Sequence, residues 1–246
     1  MNQPFDAFLL AGGYGTRLAP ITNTIPKCLV NIQGKPLLSH WLDLLERADC
    51  QSVLINTHYL ADQVEAFLAT QHHRQIKFAT VFEPQLLGTL GSLRKNRSFF
   101  TKPINFLAHA DNVCTDPLKK LIDYHANSDP SIILSMYSFL TSTPSSCGII
   151  TTSGDGTIKS YTEKPPASCS RQANSAVYAF SQGLFNVIDE LPDSSSDISS
   201  DLLPLLCNRM NAIPVNSYFA DIGTIESLAM TNREQPFTVL DNEPKM

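Results

Sequence analysis

Phe8-Leu9-Leu10-Ala11-Gly12-Gly13-Tyr14-Gly15-Thr16-Arg17-Leu18 is the stretch from which the fold of this chain can be read. An apolar run breaks into Gly12, Gly13 and Gly15, followed by a hydroxyl, a guanidinium and, at Pro26-Lys27, an ammonium. A buried strand that ends in a glycine-rich turn brings backbone N–H groups close to an anion, because no Cβ stands in the way. Arg17 offers a planar, permanently charged fork for phosphate oxygens, and Lys27 a compact point charge. A triphosphate suits this combination better than a neutral ligand does. Two common phosphate loops are excluded. The dinucleotide fingerprint needs Gly-x-Gly-x-x-Gly, whereas 12–17 reads Gly-Gly-Tyr-Gly-Thr-Arg. A P-loop needs Ser or Thr after Gly-Lys, and Gly34-Lys35 runs into Pro36.

A length of 246 residues accommodates one large α/β domain with a real core, and 43% hydrophobic with 17% charged residues is ordinary for a globular protein. The formal net charge of −5 argues against binding to nucleic acid or an anionic membrane through bulk electrostatics. A phosphate site must therefore be a local concentration of positive charge or metal. Cysteines at 28, 50, 114, 147, 169 and 207 form no Cys-x-x-Cys pair and have no His at zinc spacing. The N-terminus lacks a basic stretch, and the apolar run 7–11 is too short for a signal peptide or a membrane span. The expectation is a cytoplasmic protein with reduced thiols.

Strand-length apolar runs alternate with helical patterns, which predicts a mostly parallel sheet with crossover helices. Strands are expected at 5–11, 52–56, 76–82, 104–108 and 131–137, and helices at 36–48, 61–69, 90–95 and 117–125. After about residue 145 the strands shorten, to 148–152, 158–162, 175–180 and 212–219, separated by helices at 182–190 and 200–207. The Ser- and Asp-rich stretch Asp193–Asp201 reads as an exposed, mobile loop, and Glu234–Met246 as a tail with little core.

Leu-Ala-Gly-Gly-x-Gly-Thr-Arg-Leu-x-Pro at 10–20, Pro26-Lys27 and Gly34-Lys35-Pro36-Leu37-Leu38 closely resemble the opening of the sugar-1-phosphate nucleotidyltransferases, the NDP-sugar pyrophosphorylases. The resemblance continues to about Leu228. It implies a Rossmann-like α/β fold, with a mixed, mostly parallel sheet sandwiched by helices (the nucleotide-diphospho-sugar transferase fold), and no C-terminal β-helix. It also implies a single domain over 1–232, with a nucleotide half at about 1–145, a sugar-phosphate half at about 146–232, and a tail at 233–246.

The resemblance assigns site residues. Leu10, Ala11, Gly12, Gly13, Gly15 and Thr16 would line the nucleotide, with Arg17 and Lys27 on its triphosphate and departing pyrophosphate. Gln85, Gly88 and Thr89 lie in Glu83-Pro84-Gln85-Leu86-Leu87-Gly88-Thr89-Leu90-Gly91-Ser92, whose Leu-Gly-Thr-x-Gly resembles a base-reading turn of guanylyl members; Gly88 would let backbone lie against a flat base, and Thr89 would cap the next helix. His109-Ala110-Asp111-Asn112 follows an apolar strand, where a carboxylate is well placed for ligand or metal. The family holds Mg²⁺ on this Asp and on the Asp of a late Asp-Ile-Gly-Thr, matched by Asp111 and Asp221. Ala110 stands where Gly is usual. Thr162-Glu163-Lys164-Pro165 matches a Glu-Lys-Pro in which Glu takes sugar hydroxyls and Lys the sugar phosphate. Asn174 opens a strand resembling Asn-x-Gly-x-Tyr, with Ala176 in place of the Gly. His58 reads as loop packing.

The implied reaction joins a sugar 1-phosphate (mannose, heptose or aminohexose type) to an NTP, with GTP favoured, giving NDP-sugar and pyrophosphate with Mg²⁺. No side-chain nucleophile is needed, because the sugar phosphate oxygen attacks the α-phosphorus itself. The alternatives are a uridylyl- or thymidylyltransferase, and a non-catalytic sugar-nucleotide-binding subunit. Nucleic acid and membrane are not expected as partners, and monomer and dimer stay equally open.

Overall fold

The computed structural model describes residues 4–168 and 170–238. In chain order the elements are β1 (Asp6–Leu10), β2 (Asn31–Ile32), β3 (Lys35–Pro36), α1 (Leu37–Arg47), β4 (Ser52–Thr57), α2 (Ala61–Ala69), β5 (Lys77–Phe82) and α3 (Gly88–Lys95). They continue with β6 (Ile104–His109), β7 (Asn112–Cys114), α4 (Leu118–Ala126), β8 (Leu134–Leu140), β9 (Gly148–Thr152), β10 (Ile158–Glu163) and β11 (Gln172–Ser181). The chain closes with α5 (Gly183–Asp189), β12 (Met210–Pro214), β13 (Phe219–Asp221) and α6 (Ile225–Glu234). Among the described residues no helix is long and apolar enough to cross a membrane.

Two compact units share these elements, each assembled from separate stretches. The first comprises residues up to 86, 108–119 and those from 216 on; the second comprises 87–107 and 120–215. These packing units are drawn differently from the functional halves expected to meet near 145.

In the first unit, β1, β4 and β5 run parallel, with Asp6 opposite Ser52 and Ser52 opposite Lys77. Ala7, Phe8 and Leu9 are fully buried, as a parallel strand covered on both faces requires. Leu37, Leu38, Trp41, Leu42, Leu44 and Leu45 put the apolar stripe of α1 into the core, and the Trp41 indole N–H donates to the Asn112 carbonyl at 2.9 Å. β7 pairs antiparallel with β13 and sets Asp221 opposite Asn112.

In the second unit, β11 pairs antiparallel with β8, β12 joins β8 in parallel, and β9 pairs antiparallel with β10. Phe100, Phe180 and Phe185 form an aromatic cluster with centroids 5.2–5.9 Å apart. The register of β11 against β8 shifts between Asn174 and Tyr178, where Ala176 has a φ of 55°. The expected mixed sheet with flanking helices is what forms.

Four local expectations are corrected. The strand expected at 212–219 is two strands, β12 in the second unit and β13 in the first. Between them the Asp116 carboxylate accepts the Asn216 and Ser217 amides and turns the chain. The helix expected at 200–207 is a wide turn at Ile198–Leu202 followed by a 3-10 turn at Leu203–Leu206, because Pro204 has no N–H to continue an α ladder. The stretch 193–201 is hydrogen-bonded along its length: Arg94 donates to the Asp193 and Ser195 carbonyls, and the Asp201 carboxylate accepts the Ser196 and Asp197 amides. The tail is folded as far as it is described. Phe237 is buried, stacks on the His40 ring at 3.7 Å and donates its amide to the Gln33 Oε1. Residues 239–246 lie outside the described residues, as does Cys169.

Candidate active site

The glycine turn that follows β1 is fixed from β4. The Asn56 Oδ1 accepts the Ala11 amide at 2.7 Å and the Gly12 amide at 3.3 Å, while its Nδ2 donates to Oε1 of the fully buried Glu83 at 3.2 Å. Two amides of the turn are therefore committed to the protein, and those that follow, from Gly13 to Arg17, lie on its more exposed side. Gly15 has a φ of 65°, and a Cβ there would approach the Lys27 Cβ and the Thr22 Cγ2 to 3.0 Å. The turn thus closes against the stem of Lys27 because residue 15 has no side chain. Tyr14 stands on His58, whose Nε2 lies 2.9 Å from the Tyr14 hydroxyl and whose Nδ1 lies 2.7 Å from the Glu83 carbonyl.

Lys27, Asp111, Asp221 and Arg17 converge beside this turn. The Lys27 Nζ lies 2.6 Å from the Asp111 Oδ2 and 3.6 Å from the Asp221 Oδ1; an Arg17 guanidinium nitrogen lies 3.8 Å from the Asp221 Oδ2. The β7–β13 ribbon brings the carboxylates together, and the Ile222 amide closes it onto the Asp111 carbonyl. Burial pushes the Asp111 carboxyl up, but the charges of Lys27 and His109 and the Lys27 hydrogen bond hold it below the usual carboxylate range. The Lys27 side chain is only 8% exposed against 66% for Arg17, so the two differ in kind. A cavity of about 20 Å³, enough for one water, is lined by Leu10, Ala11, Gly13, Lys27, Cys28 and Asp111. Burial pushes the Cys28 thiol up to about 12, so it adds no charge here.

The remaining expected residues fall elsewhere. Gln85 is exposed on the turn after β5. In the second unit, the Glu163 Oε2 accepts the Tyr161 hydroxyl at 2.7 Å, and the exposed Lys164 ammonium sits 3.5 Å from the Glu163 Oε1. Asn174 donates to the Tyr178 hydroxyl at 2.7 Å and accepts the Ala176 amide at 2.9 Å. Gly88 and Thr89 face their own chain. A Cβ on Gly88 would come within 2.3 Å of the Ser196 carbonyl, and the Thr89 Oγ1 accepts the Ile198 amide at 2.8 Å and points at Asp197. Thr89 therefore ties α3 to the 193–201 stretch and does not cap its own helix. Asn56 and Glu83 are the pair sequence reasoning missed. A polar Asn ending the apolar run 52–56 was the available signal.

Among the described residues no trio of His, Cys, Asp and Glu side chains gathers for a metal. The fit rests on the two carboxylates, whose oxygens face one cation position, now taken by the Lys27 ammonium. Hard oxygen donors of this kind suit a magnesium ion that draws the rest of its shell from phosphate and water.

The family model described as Nucleotidyl transferase matches residues 6–236. The catalytic subunit beta of mannose-1-phosphate guanylyltransferase from Drosophila pseudoobscura pseudoobscura is 31% identical over 227 residues, which cover 88% of this chain and 58% of that protein. The chain thus spans less than two thirds of that relative's length. A putative glucose-1-phosphate thymidylyltransferase from Bacillus anthracis, crystallised with sucrose, superposes with a TM-score of 0.85 at 22% identity, covering 94% of this chain and 95% of that one. HddC from Yersinia pseudotuberculosis, complexed with GMP-PN, superposes with a TM-score of 0.76 at 26% identity, covering 94% and 99%. The glycine turn, the cation–carboxylate cluster, the fold and the matched span together make this chain a member of the nucleotidyl transferase family.

Proposed function

We propose that this chain transfers a nucleotidyl group from an NTP, with GTP as the donor, to a sugar 1-phosphate of manno-configured, heptose or aminohexose type, releasing pyrophosphate. The observation that carries this reading is the convergence of Lys27, Arg17, Asp111 and Asp221 beside the glycine turn. The guanylyl choice is supported by the relative named as a mannose-1-phosphate guanylyltransferase and by the neighbour crystallised with GMP-PN.

In this mechanism the sugar phosphate oxygen attacks the α-phosphorus, the bond to the β-phosphate oxygen breaks, and pyrophosphate departs with that electron pair. The protein's task is to bring two mutually repelling anions together. Leu10, Ala11 and Gly12 set the floor of the nucleotide site, and Gly13, Gly15 and Thr16 present the turn. Arg17 and Lys27 hold the triphosphate and the leaving pyrophosphate. Lys164 receives the acceptor phosphate, while Glu163 and Asn174 take sugar hydroxyls; the Asn174 oxygen keeps a second lone pair for this. Gln85 and the Gly88 backbone take the base, and Thr89 serves it indirectly, by holding the turn through the Ile198 amide. Asp111 and Asp221 would hold Mg²⁺, which when bound offsets charge gathering on the phosphate oxygens. The five described cysteines are free thiols, in keeping with a cytoplasmic site of action.

Four NTPs assayed against hexose, aminohexose and heptose 1-phosphates, read by pyrophosphate release, test this reading. GTP should give the highest kcat/KM. A pyrimidine triphosphate winning by tenfold would sink the guanylyl choice and leave the transferase; no release from any pair would leave a binding subunit.

A further inference from the structure

The Lys27 ammonium occupies the one position that both Asp111 and Asp221 face, 2.6 Å and 3.6 Å from their oxygens. With 8% of its side chain exposed, it is a built-in charge and not a loose surface partner. Its stem is held by close packing against Gly15. A divalent cation held by both carboxylates would take the Asp111 Oδ2 and Asp221 Oδ1 that Lys27 now faces, and at that range its repulsion of a mostly buried ammonium is large. The exposed Arg17, by contrast, reaches only the other Asp221 oxygen, at 3.8 Å. We infer that Lys27 is the resident counter-ion of the Asp111–Asp221 pair, and that a divalent cation binds there only by displacing its ammonium. This rests on the metal reading above and adds a coupling to it: entry of the metal releases the charge that the triphosphate needs. The cavity of about 20 Å³ beside Lys27 gives the displaced group room for a shift without unfolding the turn. In the absence of metal the ammonium offsets the mutual repulsion of the carboxylates.

The full chain, free of nucleotide at pH 7, is titrated with Mn²⁺ followed by electron paramagnetic resonance. Lys27→Met should bind Mn²⁺ at least tenfold more tightly than wild type, and Asp111→Asn should lose the binding. Equal or weaker binding by Lys27→Met, with Asp111→Asn still lost, overturns the displacement while leaving the metal site standing. Absence of binding in every variant overturns both. A second measurement needs only wild type. Acetic anhydride labelling of Lys27, read by peptide mass spectrometry, should rise at least threefold at saturating Mn²⁺; unchanged or reduced labelling overturns the inference. Neither readout depends on turnover, so failure of the NTP panel would be separate.

Discussion

Replacing Asn56 by alanine should destabilise the first unit by about 4 kcal/mol. The variant removes the acceptor of the Ala11 amide at 2.7 Å and of the Gly12 amide at 3.3 Å. A buried amide left without a partner costs roughly 1–3 kcal/mol, and the longer bond adds less. Loss of the Nδ2 bond to the buried Glu83 adds about 1.5 kcal/mol, at the upper end for a hydrogen bond within a protein. At this size each kcal/mol moves the midpoint of melting by about 2–4 °C, so the fall should be roughly 8–16 °C. Trp41 is the only tryptophan, is buried in α1 of the same unit, and reports urea unfolding by fluorescence. Turnover should fall at least about tenfold as well, since the turn that aligns the phosphates loses its anchor. Asn56→Asp keeps the acceptor but replaces the Nδ2 donor with an oxygen facing the Glu83 Oε1, and should not restore wild-type stability. A loss under about 1 kcal/mol for Asn56→Ala, with an unchanged urea dependence, would refute the assignment of Asn56 as the anchor.

Three other perturbations test separate parts. Arg17→Ala removes an exposed cation: kcat/KM should drop about 10²–10³-fold, on the scale of losing one preorganised donor, with melting within 2 °C of wild type; near-normal turnover would remove Arg17 from the pyrophosphate clamp. Ala176→Gly relieves a left-handed alanine, which costs about 1–2 kcal/mol, at an entropic cost of about 0.4–1 kcal/mol, so the unfolding free energy from urea titration should rise by about 0.5–1 kcal/mol; a fall would mean that the methyl packs favourably. His125 is buried beside the Ser135 hydroxyl, and burial lowers its imidazole from 6.5 to about 4. Its folded value is depressed, so unfolding takes up a proton between those values. The stability it contributes is present above pH 6.5 and is lost by about 3 kcal/mol as pH falls to 4. Urea midpoints for wild type and His125→Gln should converge over that window, and parallel curves would dismiss the effect.

The parts legible in the sequence were those where one physical signal dominates. β1 and α1 follow from uninterrupted apolar runs and a 3.6-residue stripe. The place of Asp111 just past a buried strand follows from the apolar run at 104–108. What stayed hidden depends on contacts distant in sequence. Nothing near Lys27 announces that its ammonium is buried between Asp111 and Asp221, residues brought to it by the β7–β13 ribbon. The 193–201 stretch has the composition of a free loop, and only the carbonyls lined up for Arg94 and the amides taken by Asp201 hold it. The split of 212–219 turns on Asp116, about a hundred residues earlier in the chain.

Gly88 carries a lesson for reading related chains. Its missing Cβ makes way for the Ser196 carbonyl, at a distance no side chain would tolerate. A glycine at this place is therefore demanded by the protein's own backbone before any base arrives. A relative that had lost catalysis but kept the 193–201 stretch would still require it. Retention of Gly88 is thus a record of architecture, and a survey that scored it as evidence of a working nucleotide pocket would count silent members as active ones.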